Sequence, residues 1–328
     1  MRTPAYPIWL KALWRLKIEN RPLILSHGIN SKCNLRCKFC PYWKEDRGEM
    51  SREEIFSLLK AAKSLGILLY NAWTTEPLLR KDLPEILEHA HHLGMMTSLV
   101  TNGVLLKKRI GELSDLDYLS VSVDGYQSFE ELRGIKLDEV LDGIKGARDM
   151  KIPTLINCVI SGKNLDEIEE LIYLAREMGG WISFEPIYEY QGISQEVWEE
   201  IGIRDIDRYG KTVDRIIELK KEGAPIINSN TYLKIIKNLS PDFKCHANKV
   251  ILHVSSDGRI ENCRVHRESM GNIKDGLGNA WSSSKERREK ISMKCKGCLF
   301  FGHVELSLLY SLKPEAILNG IRILNGIR

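Results

Sequence analysis

The sequence predicts an α/β fold with parallel strands, followed by a smaller cysteine-bearing unit. Between residues 22 and 222, short apolar segments alternate with amphipathic helical patterns in six strand–helix units. Such alternation is typical of parallel strands with helices packed outside the sheet. After Gly223 the alternation stops, and four of the eight cysteines lie in the region that follows. The chain is therefore expected to hold a βα-repeat domain and a compact second unit.

The individual elements follow from local patterns. The first strand is predicted over Leu23–Ile29, and the first helix begins at Ser51, with Glu53 and Glu54 in its first turn. Further strands are predicted at Ile67–Asn71, Met95–Val100, Tyr118–Val123, Thr154–Ile160 and Trp181–Ile187, and further helices at Leu83–Leu93, Val104–Leu113, Leu137–Met150, Leu165–Met178 and Asp205–Lys221. A loop with a short helix is expected over Gly192–Arg204.

The second unit centres on a predicted β-hairpin. Its strands are Lys249–Val254 and Arg259–Asn262, joined by a turn at Ser256-Asp-Gly258, and Asp-Gly is a strong hairpin turn signal. The predicted organisation is an amphipathic segment at 1–21, the repeat domain at 22–223, the cysteine-bearing unit at 224–302 and an apolar, basic tail at 303–328. The tail ends in two copies of Ile-Leu-Asn-Gly-Ile-Arg, too few for a solenoid.

Composition narrows the class of protein. A chain of 328 residues with 43% hydrophobic and 28% charged residues is that of an ordinary globular protein with one large and one small domain. A net charge of +4 does not by itself indicate a nucleic-acid partner, and none is predicted. No run of eighteen apolar residues exists, and the low glutamine content hints at a thermophile. A cytoplasmic location is expected, where cysteines more often ligate metal than form disulfides.

Three cysteines, Cys33-x3-Cys37-x2-Cys40, follow the first strand. Three thiolates can hold three irons of a [4Fe–4S] cluster and leave the fourth iron open to a small molecule. Zinc, a disulfide and inert buried thiols are the alternatives, although zinc needs a fourth ligand. The stretch from Ile29 to Cys40, with Phe39 before the last cysteine, resembles the signature loop of the radical S-adenosylmethionine (SAM) enzymes.

This resemblance implies a fold and a chemistry. The fold is a partial (β/α)6 barrel, whose chemistry gathers at the carboxyl ends of the strands. The open iron binds SAM, one electron cleaves the sulfonium, and the resulting 5′-deoxyadenosyl radical abstracts hydrogen from substrate. An external electron donor of the ferredoxin or flavodoxin type is implied as a partner.

The same resemblance implies SAM-contacting residues. Glu76 of Trp73-Thr-Thr-Glu-Pro77 matches the glutamate that holds the SAM amino group, but Thr74 and Thr75 stand where relatives have glycines. The two threonines depart from the family pattern at a point where the backbone matters, because threonine resists conformations that glycine allows. The other expected contacts with SAM or the cavity are Phe39, Tyr42 beside Trp43, Ser122, Asp124 and Asn157. Cys158, next to Asn157 on a strand, is expected to point to the opposite face and into the core.

The downstream cysteines, Cys245, Cys263, Cys295 and Cys298, suit a four-ligand metal site. From spacing alone, zinc and an iron–sulfur cluster are both open. The Gly-x4-Cys spacing at Cys263, the following Gly271-Asn-Ile273 and the final Cys-x2-Cys resemble the twitch domain, a short form of the SPASM domain. That resemblance implies an auxiliary [4Fe–4S] cluster with no open iron, and hence an electron-transfer role.

Both chain ends carry an unusual composition. The N-terminal segment interleaves Trp9 and Trp14 with Lys11, Arg15 and Lys17, a pattern found in interfacial helices. Packing of both ends on the barrel and contact with a membrane lipid surface are alternatives that stay open. The second alternative would place the enzyme peripherally at the inner face of the membrane.

The reaction is less constrained than the cofactors. The best-supported expectation is a radical SAM enzyme that acts on a membrane lipid or isoprenoid chain and forms a carbon–carbon bond. The alternatives are a maturase of a peptide or cofactor precursor, and an iron–sulfur electron carrier that is not an enzyme. No catalytic base is assigned, and Glu185, Tyr188 and Glu189 are candidates only by position.

Overall fold

A continuous β-sheet forms the centre of the molecule. The computed structural model describes residues 6–45, 47–187 and 193–324. Within these ranges nine strands form one sheet in the order β6-β5-β4-β3-β2-β1-β7-β8-β9. The strands are β1 Ile24–Gly28, β2 Leu69–Trp73, β3 Met96–Thr101, β4 Tyr118–Ser122, β5 Thr154–Ile160, β6 Trp181–Pro186, β7 Ile251–Val254, β8 Arg259–Glu261 and β9 Ser269–Asn272.

Strands β1 to β6 are parallel and pair in sequence order, which confirms the six predicted strands and the partial barrel. The predicted hairpin is also present, because β7 pairs antiparallel with β8. It is not isolated, however: β7 pairs parallel with β1, with Ile24 opposite Ile251 and His27 opposite Val254. The cysteine-bearing unit therefore extends the barrel sheet, and β9 adds a third strand that the sequence patterns did not reveal.

Helices cover the sheet and follow the strands in the order expected for βα units. They are α1 Tyr6–Lys17, α2 Arg52–Leu65, α3 Leu83–His92, α4 Leu106–Arg109, α5 Ser128–Arg133, α6 Asp138–Asp149, α7 Ile168–Glu177, α8 Gln195–Ile201, α9 Ile206–Lys221, α10 Asn230–Lys237, α11 Ala247–Val250, α12 Leu277–Ser283, α13 Lys285–Lys294, α14 Phe301–Tyr310 and α15 Pro314–Leu324. The helix predicted over Val104–Leu113 is shorter, since α4 passes into a 3-10 turn at Ile110–Glu112.

Helix α2 shows how the local sequence determines an element. Ser51 and Glu54 form a reciprocal capping box at its start, and Gly66 ends it with a left-handed φ of 99°. Both devices satisfy backbone groups that a helix terminus leaves unpaired. Its apolar side chains, among them Ile55 and Leu59, are fully buried. The helix therefore forms a rigid connection between the cysteine loop and β2.

Strand β5 shows the alternation that builds the barrel interior. Its residues alternate between buried and partly buried along the whole strand. Cys158 is fully buried on the core face, as expected, and contacts Asn164 rather than either cysteine set. Leu155, Asn157 and Val159 point to the opposite face, which lines a cavity.

Helix α14 closes the open side of the partial barrel. At its start the Phe301 amide donates to Glu185 Oε2 of β6 at 2.9 Å, and the Phe301 ring contacts Tyr232 of α10. On the other side the His303 ring lies 5.7 Å from that of His253 on β7. The segment after the last cysteine therefore bridges β6 and β7, which stand apart in the sheet.

The two terminal helices pack at the amino-terminal edge of the sheet, opposite the cysteine loop. Leu16 of α1 joins Leu23, Val250 and Ile251 in a small apolar cluster. In α15, Ala316 is buried and Asn319 Nδ2 donates to the Ile227 carbonyl. Each terminal helix thus packs on the barrel with one of its faces. The described residues of these helices do not line the catalytic cavity. Among the described residues no helix is long and apolar enough to cross a membrane.

Candidate active site

A cavity of about 320 Å³ opens at the carboxyl ends of the parallel strands. Its walls come from the cysteine loop, from β2 to β6 and from the start of α14. The lining residues include Cys33, Cys37, Phe39, Cys40, Tyr42, Trp43, Trp73, Thr74, Thr75, Thr101, Asn102, Ser122, Arg133, Asn157, Glu185, Arg264, Phe300 and Phe301. The cavity lies where chemistry gathers in parallel α/β barrels.

All three cysteines of the loop line this cavity. Asn102 Nδ2 lies 3.8 Å from Cys33 Sγ, and Arg133 Nη1 lies 3.9 Å from Cys37 Sγ. Burial raises the pKa of the Cys33 and Cys37 thiols, and it raises that of Cys40 to about 11. Burial thus disfavours the thiolates in the absence of a nearby cation, and a metal that binds them must displace their protons. Three cysteine sulfurs that line one cavity, with nearby donors, fit a three-cysteine [4Fe–4S] cluster.

Asp124 does not face the cavity as expected. It lies beyond the end of β4, so strand alternation no longer fixes the direction of its side chain. Its carboxylate Oδ2 accepts from Arg133 Nε at 2.6 Å, and Oδ1 accepts from the Val159 amide at 2.9 Å. Arg133 is the residue that reaches the cavity, with its guanidinium 5.5 Å from the Phe39 ring centre. No sequence motif pointed to Arg133, because the short α5 that carries it was not predicted.

Glu76 lies behind the cavity wall. Its carboxylate accepts hydrogen bonds from Thr101 Oγ1 at 2.7 Å, the Asn102 amide at 2.7 Å and the Leu78 amide at 2.9 Å. The side chain is fully buried, and this burial raises its pKa to about 7. Glu76 therefore fixes the end of β3 beside Cys33, and its protonation changes near neutral pH.

Thr74 and Thr75 keep the backbone shape that glycines would provide. Both have positive φ, 78° and 49° respectively, a region that β-branched residues rarely adopt. Thr75 Oγ1 donates to the side chain of Asn30, whereas Thr74 Oγ1 is buried without a hydrogen-bond partner. Hence the backbone follows a glycine-like path in spite of the substitutions, at a cost in strain.

Ser122, Asn157 and Glu185 lie on adjacent strands and face the cavity. Ser183 Oγ donates to Asn157 Oδ1 at 2.8 Å, which holds the amide in place. Burial raises the pKa of Glu185, and the nearby positive charge of Arg264 acts in the opposite direction. Tyr188 and Glu189, the other two positional candidates, lie outside the described residues.

An aromatic wall separates the loop cysteines from the downstream segment. The Tyr42 ring meets that of Trp73 edge-on at 5.9 Å, and Tyr42 Oη donates to the Arg264 carbonyl at 3.2 Å. The Arg264 guanidinium stacks on both Trp73 and Phe300, at 4.4 and 4.2 Å from the ring centres. Trp73, Arg264 and Phe300 were not predicted, since they come together only through the pairing of β7 with β1.

The four downstream cysteines form a second set. The other three thiols act electrostatically on Cys298, whose pKa is raised mainly by burial. His266 Nε2 lies 3.3 Å from Cys295 Sγ, and His303 Nδ1 lies 3.5 Å from Cys298 Sγ. Among the described residues no three His, Cys, Asp or Glu side chains converge on one single-ion position. All four thiols are free, and four cysteines are a ligand set for zinc as well as for an iron–sulfur cluster.

A network of four charges joins the two cysteine-bearing segments. Arg47 pairs with Glu261 at 2.9 Å and with Glu45 at 2.8 Å. Arg267 pairs with Glu45 at 2.5 Å and with Glu261 at 3.4 Å. Glu45 and Arg47 follow Cys40, while Glu261 and Arg267 flank Cys263. This charge network holds the two cysteine sets in a fixed relation.

Comparison with known proteins agrees with this geometry. Residues 29–175 match the Radical SAM superfamily model. The probable GTP 3′,8-cyclase of Saccharolobus islandicus (strain M.14.25 / Kamchatka #1) is 28% identical over 284 residues, covering 81% of this chain and 89% of the relative. The probable GTP 3′,8-cyclase of Sulfolobus acidocaldarius is 26% identical over 299 residues, covering 86% and 92%.

Solved structures share the fold. Streptococcus suis SuiB bound to S-adenosylmethionine has a TM-score of 0.67 at 20% identity, covering 84% of this chain and 69% of SuiB. Native anSMEcpe with bound AdoMet has a TM-score of 0.65 at 18% identity, covering 91% of this chain and 100% of anSMEcpe. At this identity the likeness concerns the fold.

The barrel, the three-cysteine loop and the matching family model define a radical SAM domain, which spans residues 29–175. The chain therefore carries a radical SAM domain and is an enzyme, and the cofactors of this domain are a [4Fe–4S] cluster and SAM. The alternative of an electron carrier without enzymatic activity is therefore excluded. The twitch-type assignment of the second cysteine set stays a prediction.

Proposed function

We propose that the enzyme abstracts hydrogen from an organic substrate held between the two cysteine sets. The observation that carries this proposal is a cavity lined by Cys33, Cys37 and Cys40 on one side and, on the other, by Phe300 and Phe301, which follow Cys298 in the sequence. When bound, the cluster supplies the electron that cleaves SAM. The protein's part is to place the substrate carbon near the 5′ carbon of SAM and to keep water away.

Phe39, Tyr42, Ser122 and Asn157 are the proposed SAM contacts, because all four line the cavity. Glu76 acts differently, by holding the Asn102 amide and Thr101 beside Cys33. If the SAM ammonium approaches this carboxyl, its positive charge favours the ionised form. Glu76 is thus proposed to link SAM binding to its own ionisation. Asp124 contributes by orienting Arg133 near Cys37.

Cys245, Cys263, Cys295 and Cys298 are proposed to hold an auxiliary [4Fe–4S] cluster that exchanges an electron with the substrate radical. Four thiolates would fill its iron sites and leave none for substrate. Zinc is the alternative, and metal analysis separates the two, since about eight irons per chain support two clusters whereas about four irons with one zinc exclude the second. The first electron is proposed to come from a ferredoxin- or flavodoxin-type donor.

The cavity favours a substrate with little negative charge. Of the cations among its described lining residues, Arg133 is paired with Asp124, and Arg264 lies near the Glu185 carboxyl. Much of the remaining wall is aromatic or aliphatic, including Trp73 and Phe300. A lipid or isoprenoid chain, joined to another carbon after hydrogen abstraction, is therefore the first candidate. The position of α1 away from this cavity adds no support to it.

A guanine nucleotide is the second candidate, supported by the relatives named as probable GTP 3′,8-cyclases, which align over most of both chains. A triphosphate would need more unpaired cations than the described cavity offers. A peptide or another cofactor precursor is a third class of substrate. Only the similarity in fold to solved structures supports it.

Deuterium transfer distinguishes these classes. Anaerobic enzyme is incubated with SAM, dithionite and either deuterated GTP or deuterated lipid, and 5′-deoxyadenosine is analysed by mass spectrometry. Transfer of deuterium from lipid supports the first candidate, and transfer from GTP replaces it with the second. An Asn157→Ala variant is the control for cavity placement, since it should reduce deuterium transfer without changing the iron content.

A further inference from the structure

A second and larger cavity lies at the amino-terminal edge of the sheet, opposite the catalytic cavity. Its volume is about 640 Å³, against about 320 Å³ for the catalytic cavity. It opens between the segment after α1, the end of α2, and helices α12 and α13. We call it the base cavity. Nothing in the proposed reaction uses it.

A buried arginine faces the base cavity. Arg288 is only 7% exposed and its guanidinium lies 3.3 Å from the Trp281 ring centre. It donates to the Trp281 and Asn248 carbonyls at 2.8 and 3.3 Å, but its buried Nε has no hydrogen-bond partner. Within the described part of the chain Arg288 forms no ion pair. The adjacent Glu289 acts on this charge electrostatically. Burial of a cation with no carboxylate at ion-pair distance is still costly, and a bound anion would offset that cost.

Positive side chains outnumber negative ones around the rest of the base cavity. Arg21, Lys249 and Lys285 line it with Arg288, whereas its carboxylates are Glu19 and Glu289. Glu19 is already engaged, because it accepts from Trp14 Nε1 at 3.2 Å and pairs with Arg21 at 3.6 Å. Next to the cavity, Lys17 Nζ lies 3.8 Å from the centre of the lining Tyr310 ring. The base cavity is therefore suited to a phosphate group.

An exposed apolar stripe runs along the helix that borders this cavity. Leu10, Trp14 and Ile18 are 53%, 58% and 60% exposed, and their spacing of four residues places them on one helical face. Lys11 and Lys17, both exposed, flank the stripe, and no acidic residue occurs within α1. This is the pattern of a helix that lies in a membrane interface.

We propose that this base is a docking surface for a membrane that contains anionic phospholipid. The stripe of α1 enters the interface, and the base cavity receives the phosphate of a lipid headgroup. Charge complementarity supports this occupant, since cations surround both the stripe and the cavity. The surface is at the opposite edge of the sheet from the catalytic cavity, so docking is independent of which substrate the enzyme uses.

Vesicle co-sedimentation of the full-length enzyme tests the proposal. The protein should sediment with phosphatidylglycerol-containing vesicles, not with phosphatidylcholine alone, and should be released at about 1 M salt, where the Debye length is about 3 Å. Leu10→Ser should weaken binding severalfold, since it removes apolar contact. Ile206→Ser is the matched control, because Ile206 is 51% exposed at the start of α9, outside the stripe and the base cavity, and it should have no effect.

A second pair of variants tests the cavity without disturbing the core. Lys285→Gln should weaken binding about fivefold, the loss expected for one lysine near an anionic surface. Lys290→Gln on the same helix is also exposed but does not line the cavity, and should not weaken binding. The proposal is overturned if wild-type protein ignores anionic vesicles or if the controls weaken binding equally. It is also overturned if calorimetry shows binding of glycerol phosphate while vesicles do not bind, because the cavity then serves a free phosphate ester.

Discussion

Glu76 is the ionisable residue that is proposed to respond to SAM binding. A carboxyl with a pKa near 7 is half protonated at neutral pH, so its charge there depends on what lies beside it. Its three hydrogen-bond donors come from Leu78, Thr101 and Asn102. Those contacts connect the carboxyl to the wall beside Cys33, which is where SAM is proposed to bind.

The affinity for SAM is expected to fall as the pH drops through 7. Above that pH, Glu76 is ionised and attracts the SAM ammonium; below it, protonation removes the attraction. Equilibrium binding of SAM to the anaerobic enzyme between pH 6 and 8 measures the effect. In Glu76→Gln the affinity should be weaker and nearly independent of pH, and an unchanged pH dependence in that variant would show that another group is responsible.

Thr74 provides a test of backbone strain. Its φ of 78° is costly for any residue with a β-carbon, by roughly 1–2 kcal/mol. Thr74→Gly should therefore be more stable than Thr74→Ala by about 1 kcal/mol, because both lose the hydroxyl and only glycine loses the β-carbon. Denaturant unfolding of the two variants gives the comparison. Equal stabilities would mean that the surrounding structure does not impose strain at this position.

At the scale of elements, the charge network links the segment after Cys40 to the hairpin that carries Cys263. Glu261 is 5% exposed in its side chain and meets Arg47, which is 22% exposed. Such partly buried pairs couple more strongly than surface pairs, although their desolvation reduces the net gain.

A double-mutant cycle on Arg47→Gln and Glu261→Gln should give a coupling free energy of about 1–3 kcal/mol. The matched control is the pair Arg52–Glu85, with a similar contact of 2.8 Å but half-exposed side chains. Its coupling should be much smaller, because solvent screens it. If the two cycles gave equal values, the network would be an ordinary surface pairing and would not fix the two cysteine sets.

Local sequence patterns account for most of the barrel. Strand Thr154–Ile160 was predicted at its observed bounds, and the capping residues Ser51 and Gly66 explain why α2 begins and ends where it does. Periodicity and capping are local signals, which a single sequence contains. Helices α5 and α10 to α15 were not predicted. Helices α5 and α11 are only six and four residues long, and α13 and α14 are weakly amphipathic. Helices α10 and α15 do carry an apolar face, so the local signal for them was present in the sequence.

The parts of the site that sequence could not reveal depend on contacts between distant segments. The pairing of β7 with β1 brings Arg264 onto Trp73, and no local pattern encodes that meeting. Asp124 was placed on the cavity by the family resemblance, but it lies beyond the strand that ends at Ser122, and its carboxylate pairs with Arg133. The two cysteine sets could be identified from the sequence because the spacing between cysteines is a local pattern that indicates a metal site.

At the scale of the whole molecule, a single sheet joins the loop cysteines, which line the catalytic cavity, to the unit that carries the downstream cysteines. The barrel positions the loop cysteines, β7 attaches the downstream unit directly to β1, and α14 closes the gap to β6. The base of the same sheet carries the basic cavity and the exposed stripe of α1. The molecule thus separates a proposed docking surface from the catalytic cavity by the thickness of the barrel.

Alanine substitutions of single cysteines distinguish the proposed roles of the two sets in SAM cleavage and in substrate conversion. Cys37→Ala is expected to abolish SAM cleavage, because it removes a ligand of the cluster that holds SAM. Cys263→Ala should leave cleavage intact and impair conversion of substrate. Cys158→Ala is the control, since Cys158 is a buried thiol outside both sets and should affect neither step.

The most direct measurement is the amount of 5′-deoxyadenosine formed by the anaerobically reconstituted enzyme with SAM and dithionite. The wild type, Cys158→Ala and Cys263→Ala should each form it at comparable rates, and Cys37→Ala should form none above background. Formation of 5′-deoxyadenosine by Cys37→Ala, or none by a wild type with its full iron content, would contradict the assignment of Cys33, Cys37 and Cys40 as the SAM-cleaving site.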